Sequence, residues 1–384
     1  MKKKILIFID WYLPGYKAGG PIKSIAAMVS HFHKEFDFYI ITTDKDYGET
    51  QPYQNIKSNE WILTDDSVHI YYISQEQLNY STIHRLANSE AFHCVYLNSY
   101  FSVYFSLYPL LMSRFGKLKS RIVLAPRGML GAGALKLKSL KKNVFIAASK
   151  FLKLHNGISW HATSTEEANE IISVYGKEAK IITASNLQYK LNKEASRLIV
   201  SKKIGELNLF FLSRISEKKN LLFAIQLLKQ LELQSEKITF TIIGPIEDKL
   251  YWAQCSKLIE TLPQQITVKY LGAIPNNKIA EHLVNSHLLF LPTLNENYGH
   301  VIVESLMNGK PLILSDQTPW RELEKKKIGW DISLKNSSGF LEAIKNCISM
   351  NESDYQILSN HAYDYVQHYI NNPELINQSR RLFV

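Results

Sequence analysis

The stretch 296–314, ENYGHVIVESLMNGKPLIL, decides how the chain folds. A glycine, Gly299, precedes a segment with apolar residues at helical spacing. Gly309, Lys310 and Pro311 then break that segment, and a short apolar run follows. With the continuous apolar run LLFLPT just before it, the stretch is the second half of a strand–loop–helix–strand unit. The same alternation recurs upstream: ELNLFFLSRI, ITFTIIG and ITVKYLG read as strands, and NLLFAIQLLKQLE, LYWAQCSKLIETL and NNKIAEHLVNS as helices. In the first half ILIFI, FYIITT, VHIYYI, CVYLN and RIVLAPRG are strands, with the helix-period segment IKSIAAMVSHFHKEF after the first. Repeated strand–helix pairs predict α/β architecture, with a parallel sheet covered on both faces. The 384 residues divide into two Rossmann-like doubly wound domains, expected at 1–195 and 205–355. The polar, Lys-rich 188–204 is read as the linker. The C-terminal 360–384 reads as helix, and its place after the last strand allows it to pack back on the first domain.

Composition bounds the function. Hydrophobic content of 46% and charged content of 21% are ordinary for a globular chain with two cores. Cys94, Cys255 and Cys347 are far apart and show neither metal-type spacing nor a disulfide framework, which predicts a reducing, cytoplasmic setting. MKKKILIFID is too short in its apolar run for a leader and reads as a buried strand. No window reaches the roughly 18–20 apolar residues of a membrane span. The net charge of +10 is unevenly placed. Residues 91–165 hold eleven Lys and Arg and no Asp or Glu, leaving 34 basic against 35 acidic residues elsewhere. Such a patch predicts an anionic partner.

Ligands of an open parallel sheet sit outside the carboxyl ends of the strands, and three such ends stand out. In LSRISEKKN, Arg214 and Lys219 lie five residues apart between strand and helix, a guanidinium and an ammonium suited to a diphosphate. As an isolated pair they read equally as a solvated basic loop. In TIIGPIED, Gly244 and Pro245 make a tight turn, and a glycine there lets the backbone approach a base or phosphate closely. In the opening stretch, Asn297, Tyr298, Gly299, His300 and Val301 surround a helix start whose N–H groups and dipole attract phosphate. Glu304, inside the helix, is placed to accept from a ribose diol, and Glu296, before it, from sugar hydroxyls. Out of context the two carboxylates read as a helix-dipole partner and a surface glutamate.

The context is a resemblance. ENYGHVIVESLMNGKPLI resembles the pattern E-(S/N)-(F/Y)-G-x4-E-A-x3-G-x-P-V of the retaining, nucleotide-sugar-dependent glycosyltransferases of GT-B fold, glycosyltransferase group 1, with Ser305 in place of the usual Ala. SRISEKK is similar to the family's G-R-x4-K, with Ser213 replacing glycine. Gly19, Gly20 and Pro21 resemble its N-terminal Gly-Gly loop, and HATSTEEANEI its last N-terminal strand and helix. SDQTPWRELEKKKIGWDIS looks like a subset working on bacterial surface polysaccharides. The resemblance implies two domains facing a central cleft, with a nucleotide-diphosphate sugar as donor and a glycan or polyprenyl-linked acceptor. It further implies that Arg214 and Lys219 neutralise the leaving diphosphate, Glu304 holds the ribose, and Glu296 with the 298–301 backbone holds the transferred sugar. Neither metal nor cofactor is implied, because the cationic pair takes the metal's role. Gly19 and Gly20 would approach the donor phosphates, and Gly244 and Pro245 belong to the donor side. Arg127, after the strand in APRGML, and His161, opening HATS, are acceptor-side candidates; His161 reads also as a satisfied strand histidine.

The acid-free stretch contains LKLKSLKKNVFIAASKFL, with Leu137, Leu140, Val144, Ala148 and Phe151 at helical spacing and most lysines on the other side. Segment 136–154 therefore reads as a basic amphipathic helix. It either faces a core or docks on the anionic inner face of the plasma membrane, where the protein would be peripheral. Competing functions fit less well. A nucleotide-sugar 2-epimerase of similar architecture lacks the R-x4-K and E-x7-E arrangement. An NAD oxidoreductase needs a third glycine after Gly131 and Gly133. A nucleic-acid-binding protein using the basic stretch lacks a binding module, so no nucleic acid is expected.

Overall fold

The computed structural model describes residues 2–136, 139–188, 200–275 and 278–384. Most of the anticipated linker, together with Leu137 and Lys138 of the basic segment, lies outside the described residues. The chain forms two compact units. One comprises Met1–Leu191 with Asn372–Val384, and the other Asn192–Asn371.

The first unit runs β1 (Lys3–Phe8), α1 (Gly20–Phe32), β2 (Phe36–Thr43), β3 (Trp61–Leu63), β4 (His69–Ile73), α2 (Tyr80–Ala87) and β5 (Cys94–Leu97). A π-helical turn (Val103–Leu107) then leads into α3 (Tyr108–Arg114), β6 (Arg121–Leu124), α4 (Ala132–Lys136), α5 (Ser139–Phe151), β7 (Ser159–Ala162), α6 (Thr165–Tyr175) and β8 (Ile181–Thr183). The strands align in the order β3-β4-β2-β1-β5-β6-β7-β8. All neighbours are parallel except β3, which pairs antiparallel with β4 at the edge. Continuous apolar runs suit strands covered on both faces, and Ile5, Leu6, Ile7 and Phe8 of β1 are fully buried. Helix starts are capped as their sequences dictate: Asn79 accepts from Thr82 N–H at 3.0 Å and Ser164 from Glu167 N–H at 3.2 Å.

The second unit runs β9 (Glu206–Leu212), α7 (Leu221–Lys229), β10 (Lys237–Ile243), α8 (Lys249–Ile259), β11 (Ile266–Tyr270), α9 (Ile279–Leu283) and β12 (Leu288–Leu291). It continues through α10 (His300–Met307), β13 (Leu312–Ser315), β14 (Gly329–Ile332), α11 (Ser337–Ser349) and α12 (Glu352–Ile370). Its all-parallel sheet has the order β11-β10-β9-β12-β13-β14. The chain leaves β9 to build β10 and β11 on one side, then crosses to β12 on the other. The direction of winding thus reverses between β9 and β12, where a doubly wound sheet opens a crevice for ligand. The four-residue β14 escapes sequence reading. Its entry, Gly329, has φ 142° and so little room that a Cβ would stand 2.1 Å from the Leu312 carbonyl oxygen.

The returning C-terminal segment is shorter than 360–384. Helix α12 belongs to the second unit, burying Tyr355, Ala362 and Val366 in its core. Tyr355 there donates its hydroxyl to the His287 carbonyl at 3.0 Å. Pro373 cannot extend the hydrogen-bond ladder, and the chain restarts as α13 (Pro373–Arg380), which belongs to the first unit. Arg380 clamps both carboxylate oxygens of Glu35 at 2.8 and 3.0 Å, and the buried Phe383 packs its ring on Phe36 and Phe38.

Candidate functional site

Three loops meet at the reversal point of the second sheet. The loop after β9 carries Arg214 and ends in a 3-10 turn (Glu217–Lys219) followed by Asn220 at φ 59°. The loop after β12 spans 292–299, and the loop after β13 begins at Asp316. The Lys218 carbonyl accepts from Leu294 N–H at 2.9 Å and the Thr293 hydroxyl at 3.0 Å. Asn220 Nδ2 donates to the Pro292 carbonyl at 2.9 Å, and Glu296 N–H to the Gln317 carbonyl at 2.9 Å. Backbone satisfaction thus fixes the loops to one another, as buried polar groups require.

Lys219 and Glu296 are brought together by this stitching. Their side chains are 13% and 15% exposed, and Nζ lies 2.5 Å from Oε2. Burial by itself pushes the Glu296 carboxyl up. The Lys219 charge and hydrogen bond, then the Lys218 charge and the Asn297 N–H, outweigh it and hold the group below the usual carboxylate range. An ionised carboxylate and an ammonium therefore stand side by side at the sheet's carboxyl edge.

The turn into α10 is built around them. Gly299 is its N-cap at φ 79°, a conformation glycine adopts without cost. A Cβ there would stand 2.6 Å from Ile302 Cδ1 and 3.2 Å from Glu296 Cγ, so the turn packs directly on the Glu296 side chain. Tyr298 and His300 are buried, their rings 4.9 Å apart. Trp320, from the loop after β13 and only 6% exposed, donates its indole N–H to the Tyr298 carbonyl at 2.6 Å. The N–H groups of the first helical turn and the positive end of the dipole are thereby held in one orientation. Half-buried Val301 and Glu304 ride on that helix.

Arg214 and Gly244 have roles that spacing did not show. Arg214 Nη1 pairs with Glu247 Oε1 at 2.6 Å, so the two cations expected at one diphosphate each hold a carboxylate. Gly244, at φ 142°, is glycine because the neighbouring strand end leaves no room: a Cβ would stand 2.0 Å from the Ser213 carbonyl oxygen. Pro245 offers its carbonyl to Ile215 N–H at 2.9 Å, extending the join between these strand ends. Glu247 and Trp320 both fell within quoted motifs, but only tertiary packing shows what they hold.

In the first unit Gly19 caps α1 at φ 70° with open space around a would-be Cβ, and Gly20 opens the helix ahead of Pro21. The two acceptor-side candidates, His161 and Arg127, belong to one hydrogen-bond network. His161 is 3% exposed; its Nε2 faces the Ala184 carbonyl at 2.7 Å and its Nδ1 the Tyr96 hydroxyl at 2.6 Å. A carbonyl only accepts, so Nε2 carries the proton and Nδ1 accepts from Tyr96. Burial, then the Arg127 charge, push this imidazole down to about 3. Arg127 donates to Tyr96 Oη at 2.9 Å and to the side-chain oxygens of Asn98 and Asn186 at 2.6 Å each. Arg127 follows β6, whereas His161 lies within β7 and is hydrogen-bonded there as a satisfied strand histidine would be. Among the described residues no three His, Cys, Asp or Glu side chains assemble as metal ligands.

Residues 192–364 match the family model described as Glycosyl transferases group 1. No curated protein matches the chain in sequence. Sucrose-phosphate synthase (tll1590) from Thermosynechococcus elongatus is similar at 14% identity and TM-score 0.70, covering 100% of this chain and 98% of that one. Anabaena Alr3699/HepE in complex with UDP-glucose is similar at 14% identity and TM-score 0.70, with 98% of each chain covered. The lipopolysaccharide outer core galactosyltransferase WaaB in its apo form follows at 12% identity and TM-score 0.62, covering 99% and 98%. At such identity the likeness is one of fold, and the fold is GT-B: two parallel-sheet α/β domains.

Proposed function

We propose, from the match of residues 192–364 to the glycosyl transferases group 1 model, that the chain moves a sugar from a nucleotide-diphosphate donor to a glycan or polyprenyl-diphosphate-linked acceptor. The observation that carries this reading is the Lys219–Glu296 pair, packed under the first turn of α10 where the sheet reverses. An ammonium and a helix N-terminus together offer what a departing diphosphate needs: fixed positive charge in a partly dry site. Arg214, across the same strand end, adds a guanidinium. Glu304 accepts from the ribose, and Glu296 with the 298–301 backbone accepts from and orients the transferred sugar. Gly19 and Gly20 are donor-phosphate candidates by family resemblance alone.

Transfer is read as retaining. The bond from the anomeric carbon to the diphosphate oxygen breaks, the bond to the acceptor oxygen forms on the same face, and the acceptor's proton passes to the departing phosphate. Support for a UDP-sugar donor comes from the Anabaena neighbour, whose complexes hold UDP and UDP-glucose. Support for surface polysaccharide as the product comes from WaaB, a lipopolysaccharide galactosyltransferase. No helix among the described residues is long and apolar enough to cross a membrane; the reading places the protein in the cytoplasm, at the inner face of the plasma membrane.

The test is a thermal-shift screen of UDP-, GDP-, dTDP- and ADP-sugars, since a ligand bound only by the native state raises Tm by mass action. One donor class should raise Tm of the native chain, and Glu304→Ala should lose that shift while keeping its unliganded Tm. No shift with any donor, or a full shift in Glu304→Ala, refutes the site.

A further inference from the structure

Helix α5 does not turn its expected apolar stripe to the core. It buries Ile146 and Ser149, and Lys142 points inward, its Nζ 2.5 Å from the Ala134 carbonyl and over the Phe101 ring. The stripe itself faces outward: Leu140 is 78% exposed, Val144 61% and Phe151 86%, with Leu152 just beyond at 40%. A second segment joins it. Arg114, the last residue of α3, donates Nε to the Leu152 carbonyl at 3.0 Å, and the next residue, Phe115, is 66% exposed. Lys117, Lys119, Lys141, Lys150 and Lys153 are exposed along the same two segments, and the sequence from 91 to 165 supplies no acidic side chain to offset them. Isolated exposed apolar residues need no explanation, but five on two hydrogen-bonded segments mark an interaction surface.

We infer that this face docks on an anionic lipid bilayer. Phe115, Phe151 and Leu152 enter the boundary between headgroups and acyl chains, with Leu140 and Val144 extending the apolar track along α5. The basic side chains around them reach lipid phosphates. Charge complementarity selects the occupant: an apolar stripe and the lysines clustered along it together match an interface that is greasy within and anionic at its surface. A nucleic-acid backbone would use the lysines but leave Leu140, Val144 and Phe151 without partners. The inference deepens the membrane placement proposed above by giving it a surface and residues, and it shares no residue with the donor site.

Cosedimentation of the full chain with phosphatidylglycerol-containing and pure phosphatidylcholine vesicles tests it. The native chain should pellet with the former only, and less as salt rises. Lys150→Gln with Lys153→Gln should weaken partition roughly 30-fold, the equivalent of about 1 kcal/mol for each of the two basic groups near such a surface. Phe151→Ser should weaken it at constant charge. Both variants alter exposed positions, so unchanged Tm and an unchanged donor thermal shift separate loss of docking from loss of fold or of the donor site. Equal pelleting with both vesicle types, variants that partition like the native chain, or displacement of vesicles by duplex DNA overturns the inference.

Discussion

Replacing Lys219 with Met removes one half of an ion pair and leaves the other half in place. Glu296 is then a carboxylate with only 15% of its side chain exposed, without its bonded ammonium and left with only the Lys218 charge and the Asn297 N–H. Losing one member of a buried pair costs about 3–5 kcal/mol, because the remaining charge stays desolvated; the residual exposure here places the expected loss near the lower end, about 3 kcal/mol. The pH dependence should reverse as well. In the native chain the Glu296 carboxyl lies below its unfolded value of about 4.3. Its contribution is therefore present above that pH and fades as pH falls through the lower, folded value. In Lys219→Met the dominant remaining influence is burial, which raises the carboxyl. That variant is penalised at neutral pH and recovers as pH falls through the raised value, so its deficit should shrink towards about pH 4–5. Adding Glu296→Gln should restore much of the loss at neutral pH, since no buried charge then remains unpaired. Urea denaturation followed by tryptophan fluorescence measures all three, with Trp252, Trp320 and Trp330 reporting from the second unit. If Lys219→Met lies within about 0.5 kcal/mol of the native chain, or the double variant is no better than the single, the pair is not buried as described and the argument fails.

Other consequences are as direct. Trp320→Phe keeps a ring against Tyr369 but removes the hydrogen bond to the Tyr298 carbonyl. It should weaken donor binding several-fold, in line with about 1 kcal/mol for one hydrogen bond; an unchanged KM for donor would count against a positioning role. Gly244→Ala forces a Cβ onto the Ser213 carbonyl at an unfavourable φ. A loss of more than about 2 kcal/mol is expected in the same urea assay, and tolerance of alanine would contradict the close approach of the two strand ends. His161, held down to about 3, should show no NMR inflection between about pH 5 and 8; a titration in that window would break the assigned network with Tyr96 and Arg127.

Much of the site was legible because charge at a strand end is informative in an α/β chain. Position between apolar runs singled out Arg214, Lys219, Glu296 and the turn at Gly299, and the family resemblance made them donor-site candidates; that much was readable. What they touch was not. Glu247, which holds Arg214, sits 33 residues further along the chain, and Trp320, which holds the α10 turn, follows it by 22. His161 could be read as a site residue or as a satisfied strand histidine, and its contacts with the Tyr96 hydroxyl and the Ala184 carbonyl support the second. The α5 stripe shows the same limit. Periodicity reveals a face, and α5 has two: Leu140, Val144 and Phe151 on one side, Phe145, Ile146 and Ser149 on the other.

The sequence alone determined the alternation of buried strands and covering helices, the parallel sheets that follow from it, and the strand ends that carry cations and carboxylates. Period and burial are local properties, readable wherever a run of residues must satisfy its own backbone and hide its own apolar surface. Tertiary structure decided the partners. Lys219 meets Glu296 because β9 lies beside β12, although β10 and β11 separate them in the chain. Only the crossover of a doubly wound sheet makes neighbours of those two strands, and with them of the loops that hold an ammonium against a carboxylate.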